Sequence, residues 1–209
     1  MKPLHALLSP AWQDAASVGH SPVVLLLHGY GSNEHDLPSL AQWLPDGAAW
    51  ASLRAPLDMD FGGAMWFPLD PAAEPDHAAI GAATEAIWAW VDAHVPAEAR
   101  VVPLGFSQGG LMALELLRTR PERVAATVVL AGFTTSTDRP EDAVLAESRP
   151  PVFWGRGAED GVVWPEALQR MLAWLPSHAT LTERVYAGLA HGVNGDEMND
   201  VRAFLVAKL

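Results

Sequence analysis

The sequence predicts an α/β fold, with a mostly parallel central sheet carrying helices on both faces, in a single domain spanning residues 1–209. Three observations predict it. Apolar runs such as PVVLLL (22–27) lack the alternation of a half-wet strand, so they read as strands buried on both faces. Strand-like segments alternate along the chain with helix-like ones, and that alternation produces parallel pairing. A length of 209 residues, half of them hydrophobic and 18% charged, suits one globular domain with a full core.

Pro22–Leu27 is the first buried strand, and His28-Gly29-Tyr30-Gly31-Ser32 leaves it as a loop. Asp36–Leu44 reads as a short helix, and Ala48–Leu53 as a strand ended by Arg54-Ala55-Pro56. Leu57–Pro75 is rich in Gly and Pro and reads as a long excursion whose path no periodicity predicts. Asp76–His94 is amphipathic: Ile80, Thr84, Ile87, Trp88 and Val91 share a face, and Pro96 stands just beyond the end. Arg100–Phe106 is a strand, Gln108–Thr119 a helix, and Val124–Leu130 a strand. Pro151–Gly155, Pro165–Leu175, Ala179–Tyr186 and Asp196–Lys208 follow as strand, helix, strand and closing helix. No repeat, low-complexity tract or linker interrupts this order.

Composition excludes several function classes. There are no cysteines, which removes disulfides, cysteine nucleophiles and thiolate metal sites, and fits a reducing compartment. The net charge is −12 with no basic cluster, which argues against nucleic acid and anionic membrane surfaces as partners. The N-terminal MKPLHALLSPAW lacks the continuous apolar region of a signal peptide, and no run approaches the roughly 20 apolar residues of a membrane span. The expected location is cytoplasmic. Nine tryptophans could supply an apolar patch for a homodimer, though several fall in strands or on helix faces, where core packing explains them.

Gly105-Phe106-Ser107-Gln108-Gly109 fits G-x-S-x-G, set between a strand and a helix. In that context the turn is sharp and strained, and the glycines let strand and helix approach closely. Ser107 would stand exposed at a helix start, where the dipole favours developing negative charge. The plain alternative is an N-cap serine in a Gly-rich turn. A serine nucleophile needs a base, and the base needs an orienting carboxylate; in α/β-hydrolases they follow in the order Ser, Asp or Glu, His. Two histidines follow Ser107. His178 lies at the starting end of the last strand, away from the crevice beyond the strands' carboxyl ends. His191 lies past that strand's far end, in Gly188-Leu189-Ala190-His191-Gly192, and is the favoured base. The acid should follow the preceding strand, where Asp160 is favoured and Glu159 is the alternative. Asp138 and Asp142 fall in a polar loop and read as solvated. Backbone N–H groups of Gln108 and of Tyr30, in the loop after the first strand, are the candidate oxyanion donors. His28 reads as a structural brace in that loop.

At these residues the chain resembles the phospholipase/carboxylesterase family of small α/β-hydrolases, which includes the acyl-protein thioesterases. The matching stretches are LLLHGYGSNEHD (25–36), RAP (54–56), GGAMWF (62–67), GFSQGG (105–110), LAGF (130–133), GAEDGVVWP (157–165) and HGVNGDEMNDVRAFL (191–205). The resemblance implies Ser107 as nucleophile, Asp160 as acid, His191 as base, and the Tyr30 and Gln108 amides as oxyanion donors. It also implies that Met65, Trp66 and Phe67 lie beside an acyl pocket. The implied substrate is a small-molecule carboxylic ester of short to medium acyl chain, or a thioester or lysophospholipid. No metal or cofactor is required. The family often has leucine where this chain has Tyr30, which would narrow the pocket if the ring turned inward. Little chain is left for a lid, so an open site without interfacial activation is expected. A non-catalytic binding protein on the same scaffold is the reading from another class, and the presence of all three candidate residues argues against it.

Overall fold

The structure, a computed structural model, describes residues 3–13, 21–69, 76–135 and 139–209. β1 (Ala6–Leu8), β2 (Val23–Leu27) and β3 (Trp50–Leu53) form one end of the main sheet. A two-stranded hairpin of β4 (Leu57–Asp58) and β5 (Ala64–Met65) stands apart from it. The remaining strands are β6 (Val101–Phe106), β7 (Thr127–Leu130), β8 (Pro151–Gly157) and β9 (Thr180–Tyr186). Among the described residues the main sheet has seven strands in the order β1-β3-β2-β6-β7-β8-β9. β1 runs antiparallel to β3, and the other pairs are parallel.

β2 holds the middle of its half because VVLLL can be covered on both sides, and all five residues are buried. Each such side chain contributes roughly 1.5–3 kcal/mol by leaving water. The helices are α1 (His77–His94), α2 (Gln108–Thr119), α3 (Asp142–Ser148), α4 (Pro165–His178) and α5 (Gly195–Lys208). α1 starts where the Asp76 carboxylate accepts from the Ala78 and Ala79 amides, and it ends at Val95, which takes extended backbone. α1, α2 and α4 supply one core, through Ile80, Ile87, Leu111, Leu114 and Met171. α5 supplies the other with Met198, Val201, Phe204 and Leu205, beside the 3₁₀ turn Leu37–Trp43. β9 is the outer strand, partly or fully exposed along its whole length.

Several expectations change. The segment expected as a helix over 36–44 is a 3₁₀ turn with a proline in its first turn. The excursion over 57–75 contains the β4–β5 hairpin, whose tip residue Phe61 takes a left-handed backbone (φ 62°) with its ring in solvent. Residues 70–75 of that excursion lie outside the described residues. Asp142 is not a solvated loop residue: it is buried at the start of α3, paired with Arg118, which is itself buried. The reason is charge neutralisation, since Arg118 Nε and Nη2 both donate to its carboxylate and the Trp174 indole N–H adds a third donor. Asp138 lies outside the described residues. The nine tryptophans form no exposed patch. Trp66, Trp88, Trp90, Trp154 and Trp174 are buried, and Trp12, Trp43, Trp50 and Trp164 pack against the two cores.

Candidate active site

The elbow after β6 begins the site. Ser107 takes φ 55° and ψ −115°, a conformation that L-residues avoid. The surroundings enforce it. The Ser107 N–H donates to the Leu130 carbonyl at 2.9 Å, and its own carbonyl accepts from Gly110. A Cβ at Gly105 would collide with the Gly109 carbonyl, and one at Gly109 with the carbonyls of Leu27 and His28. Strand, helix and the neighbouring β2 therefore meet at van der Waals distance, and only glycine permits it. The Ser107 hydroxyl does not cap α2.

That hydroxyl meets His191. Ser107 Oγ and His191 Nε2 are 3.0 Å apart, and His191 Nδ1 lies 2.8 Å from Asp160 Oδ2. Asp160 is held by its own turn, with Oδ1 accepting from the Val162 and Val163 amides. Burial pushes its carboxyl up, but the His191 bond and the two amides outweigh burial and hold it below the usual carboxylate range. An ionised carboxylate only accepts, so Nδ1 of His191 carries the hydrogen and Nε2 is free to accept from the serine. Glu159 is exposed, and its N–H is tied to the Leu189 carbonyl. Of the two candidate acids, Asp160 is the one brought to His191. His178 stacks on Trp174 at the end of α4 and bonds the Trp174 carbonyl, remote from this line.

The loop after β2 approaches from the other side. Neither the Tyr30 nor the Gln108 N–H donates to a backbone carbonyl in the turns, loops and caps of the described residues. Tyr30 is 43% exposed, so its ring is not folded into the core. His28 is fully buried: its Nε2 accepts from the Ala55 N–H, which leaves Nδ1–H to donate to the Gly29 carbonyl. Burial lowers its pKa, so it stays neutral. Met65 is half-buried in β5, whereas Trp66 and Phe67 are buried. The Gln108 side chain, which sequence reasoning passed over, is also fully buried and bonds both of them. Glutamine is a common surface residue, so nothing local marked its side chain as internal.

A cleft of about 60 Å³ lies beside Asp160, lined by Ala131, Gly132, Trp154 and Arg156. A larger cavity of about 400 Å³ lies against Trp66, between Arg54, Leu57 and Ala83, and none of Ser107, Asp160 and His191 lines it. No group of three or more His, Cys, Asp or Glu able to hold a metal is found among the described residues.

The fold, with this serine at its elbow, is that of an α/β-hydrolase. The sequence pattern of the Phospholipase/Carboxylesterase family matches residues 14–209, and the chain belongs to that family of serine hydrolases. It is 26% identical over 226 residues to a probable carboxylesterase of Oryza sativa subsp. japonica, covering 97% of this chain and 83% of that one. It is 27% identical over 228 residues to acyl-protein thioesterase 1 of Cryptococcus neoformans, covering 91% and 93%. Among solved structures, esterase PE8 superposes with a TM-score of 0.77 at 27% identity, over 99% of both chains. The Bacillus cereus carboxylesterase superposes with a TM-score of 0.83 at 18% identity, over 100% of this chain and 96% of that one, a likeness of fold. Among the described residues no helix is long and apolar enough to cross a membrane.

Proposed function

We propose that the chain, working as one domain, hydrolyses carboxylic esters of short to medium acyl chain through an acyl-enzyme. The observation that carries this reading is the hydrogen-bonded line from Ser107 through His191 to Asp160. Ser107 Oγ attacks the ester carbonyl while His191 Nε2 takes its proton. Asp160 orients the imidazole and balances its positive charge. The oxyanion of the tetrahedral intermediate rests on the Tyr30 and Gln108 amides. The C–O bond to the alcohol breaks, and His191 gives the leaving oxygen its proton. Water then attacks the acyl-serine, with His191 again taking the proton. The acid departs and Ser107 recovers its hydrogen.

The small cleft beside Asp160 supports the shorter chains; of the three residues expected beside the acyl group, Met65 is half-buried and available to it, whereas Trp66 and Phe67 are buried. The resemblance to a named acyl-protein thioesterase supports a second reading, in which the same residues cleave thioesters or lysophospholipids.

The test is hydrolysis of p-nitrophenyl esters from acetate to palmitate, with wild type beside Ser107→Ala. The expected result is a short- or medium-chain optimum that falls by roughly 10⁶-fold in the variant. A long-chain optimum would move the assignment to the second reading. Full activity in Ser107→Ala would overturn the mechanism.

A further inference from the structure

The two amides assigned to the oxyanion come from separate parts of the chain. β2 and β6 pair as far as Leu27 and Gly105; beyond that register β2 ends, while β6 stays paired to β7 through Phe106. No ladder bond then spaces Tyr30 from Gln108. A third segment does. Its Ala64 accepts from the Gly31 N–H at 3.0 Å and donates to the Ser32 carbonyl at 2.7 Å, which stitches it to the Tyr30 loop. The Trp66 indole N–H donates to the His28 carbonyl at 2.9 Å. On the other side, the Trp66 backbone N–H donates to Gln108 Oε1 at 2.9 Å, and Gln108 Nε2 donates to the Phe67 carbonyl at 2.7 Å. Both partners fix the amide's orientation, because one offers only a hydrogen and the other only lone pairs.

We infer that the Gln108 side chain and Trp66 are positioning residues: together they splint the elbow to the loop after β2 and set the separation of the two oxyanion amides. Four buried residues take part (His28, Trp66, Phe67 and Gln108), and each polar atom named has its partner. Burial makes the splint stiff, since a bond broken there is not replaced by water. Neither positioning side chain needs to touch the reacting atoms. Gln108 acts through its own backbone N–H, and Trp66 acts through His28 and the loop that follows. A shift of about 1 Å between paired groups costs on the order of 10²-fold in rate.

The inference rests on the esterase reading, and the experiment separates the two. Gln108→Met removes both side-chain bonds at similar volume, and Trp66→Phe removes the indole N–H together with part of the ring volume. Each is compared with wild type and Ser107→Ala for p-nitrophenyl butyrate kinetics, for inhibition by a trifluoromethyl ketone that forms a tetrahedral adduct, and for the pH–rate profile. The expected result is a kcat lower by about 10- to 100-fold with KM within about threefold. The ketone should weaken in proportion, and the pH profile should be unmoved because His191 and Asp160 keep their bond. A loss carried by KM alone, an unchanged ketone affinity, or full kcat in a folded variant would overturn the positioning role while leaving the esterase reading intact. Should one variant fail to fold, the other decides. A wild type without Ser107-dependent turnover would remove the esterase reading and this inference with it.

Discussion

At the scale of the residue, two carboxyls show how environment assigns a protonation state. Asp160 is held ionised by three donors, so it can support an imidazolium. Asp160→Asn would present an amide to His191 and favour the wrong tautomer. The expected loss is roughly 10³- to 10⁴-fold in kcat, with the fold unchanged by circular dichroism. A wild-type rate would move the acid elsewhere. Glu197 is the opposite case. It is fully buried near the start of α5, and neither of its oxygens finds a hydrogen-bond partner among the described residues. Burial raises its pKa to about 8; the nearby Asn194 amide opposes the rise without reaching bonding geometry, and the charge of Asp200 adds to it. The folded chain then holds a proton that the unfolded chain releases near the ordinary 4.5. The stability it contributes is complete below 4.5 and is lost as pH rises toward 8. Glu197→Gln should remove this slope. Its melting temperature relative to wild type should climb by more than about 5 °C between pH 5 and pH 8, at roughly 2–4 °C per kcal/mol for this length. Parallel melting curves across that range would refute the assignment. Ser107, His191 and Asp160 were legible because motif, chain order and strand ends all constrained them. The inner roles of Gln108, Glu197 and Asp142 were not, because polar residues in helix-like or loop-like stretches read as surface until a tertiary partner is known.

At the scale of the element, the strand–turn–helix around Ser107 is the least tolerant part of the molecule. Gly109 packs on the carbonyls of Leu27 and His28, and a methyl group there would fall inside both. Gly109→Ala should therefore abolish soluble expression or cut the rate by more than about 10²-fold, because β2 and α2 would have to separate. Gly192→Ala meets nothing within 4 Å and serves as the control. Equal activity in the two variants would contradict the close approach. The long buried strands and the helices α1, α2 and α5 were readable from apolar runs and helical spacing. β1 and α3 were not. Three residues of edge strand carry too little periodicity, and α3 depends on Asp142 meeting Arg118, a contact between segments that no local pattern encodes. The β4–β5 hairpin was hidden for a related reason, since each of its strands is two residues long.

At the scale of the whole molecule, the mostly parallel sheet gathers the candidate site residues on one edge. Tyr30, Ser107, Asp160 and His191 follow the ends of β2, β6, β8 and β9, as open α/β sheets arrange their ligand crevices. That gathering was legible in the order of the elements, but the strand order was not, because it depends on which crossovers turn back toward the start. β9 stands at the outer edge of that sheet. It pairs on one side only and lies half in solvent, yet the loop that leaves it carries His191, the proposed base. The other partners of the line hang on strands with neighbours on both sides. Native-state amide exchange should therefore find β9 opening at a lower free energy than β2 or β6. On warming, hydrolysis should fade several degrees before the far-ultraviolet signal moves; coincident curves would show that the outer strand is locked to the rest. In that sense the enzyme carries a fuse on its rim: gentle heat would silence it while most of the sheet stayed intact, and cooling would restore it without refolding the core.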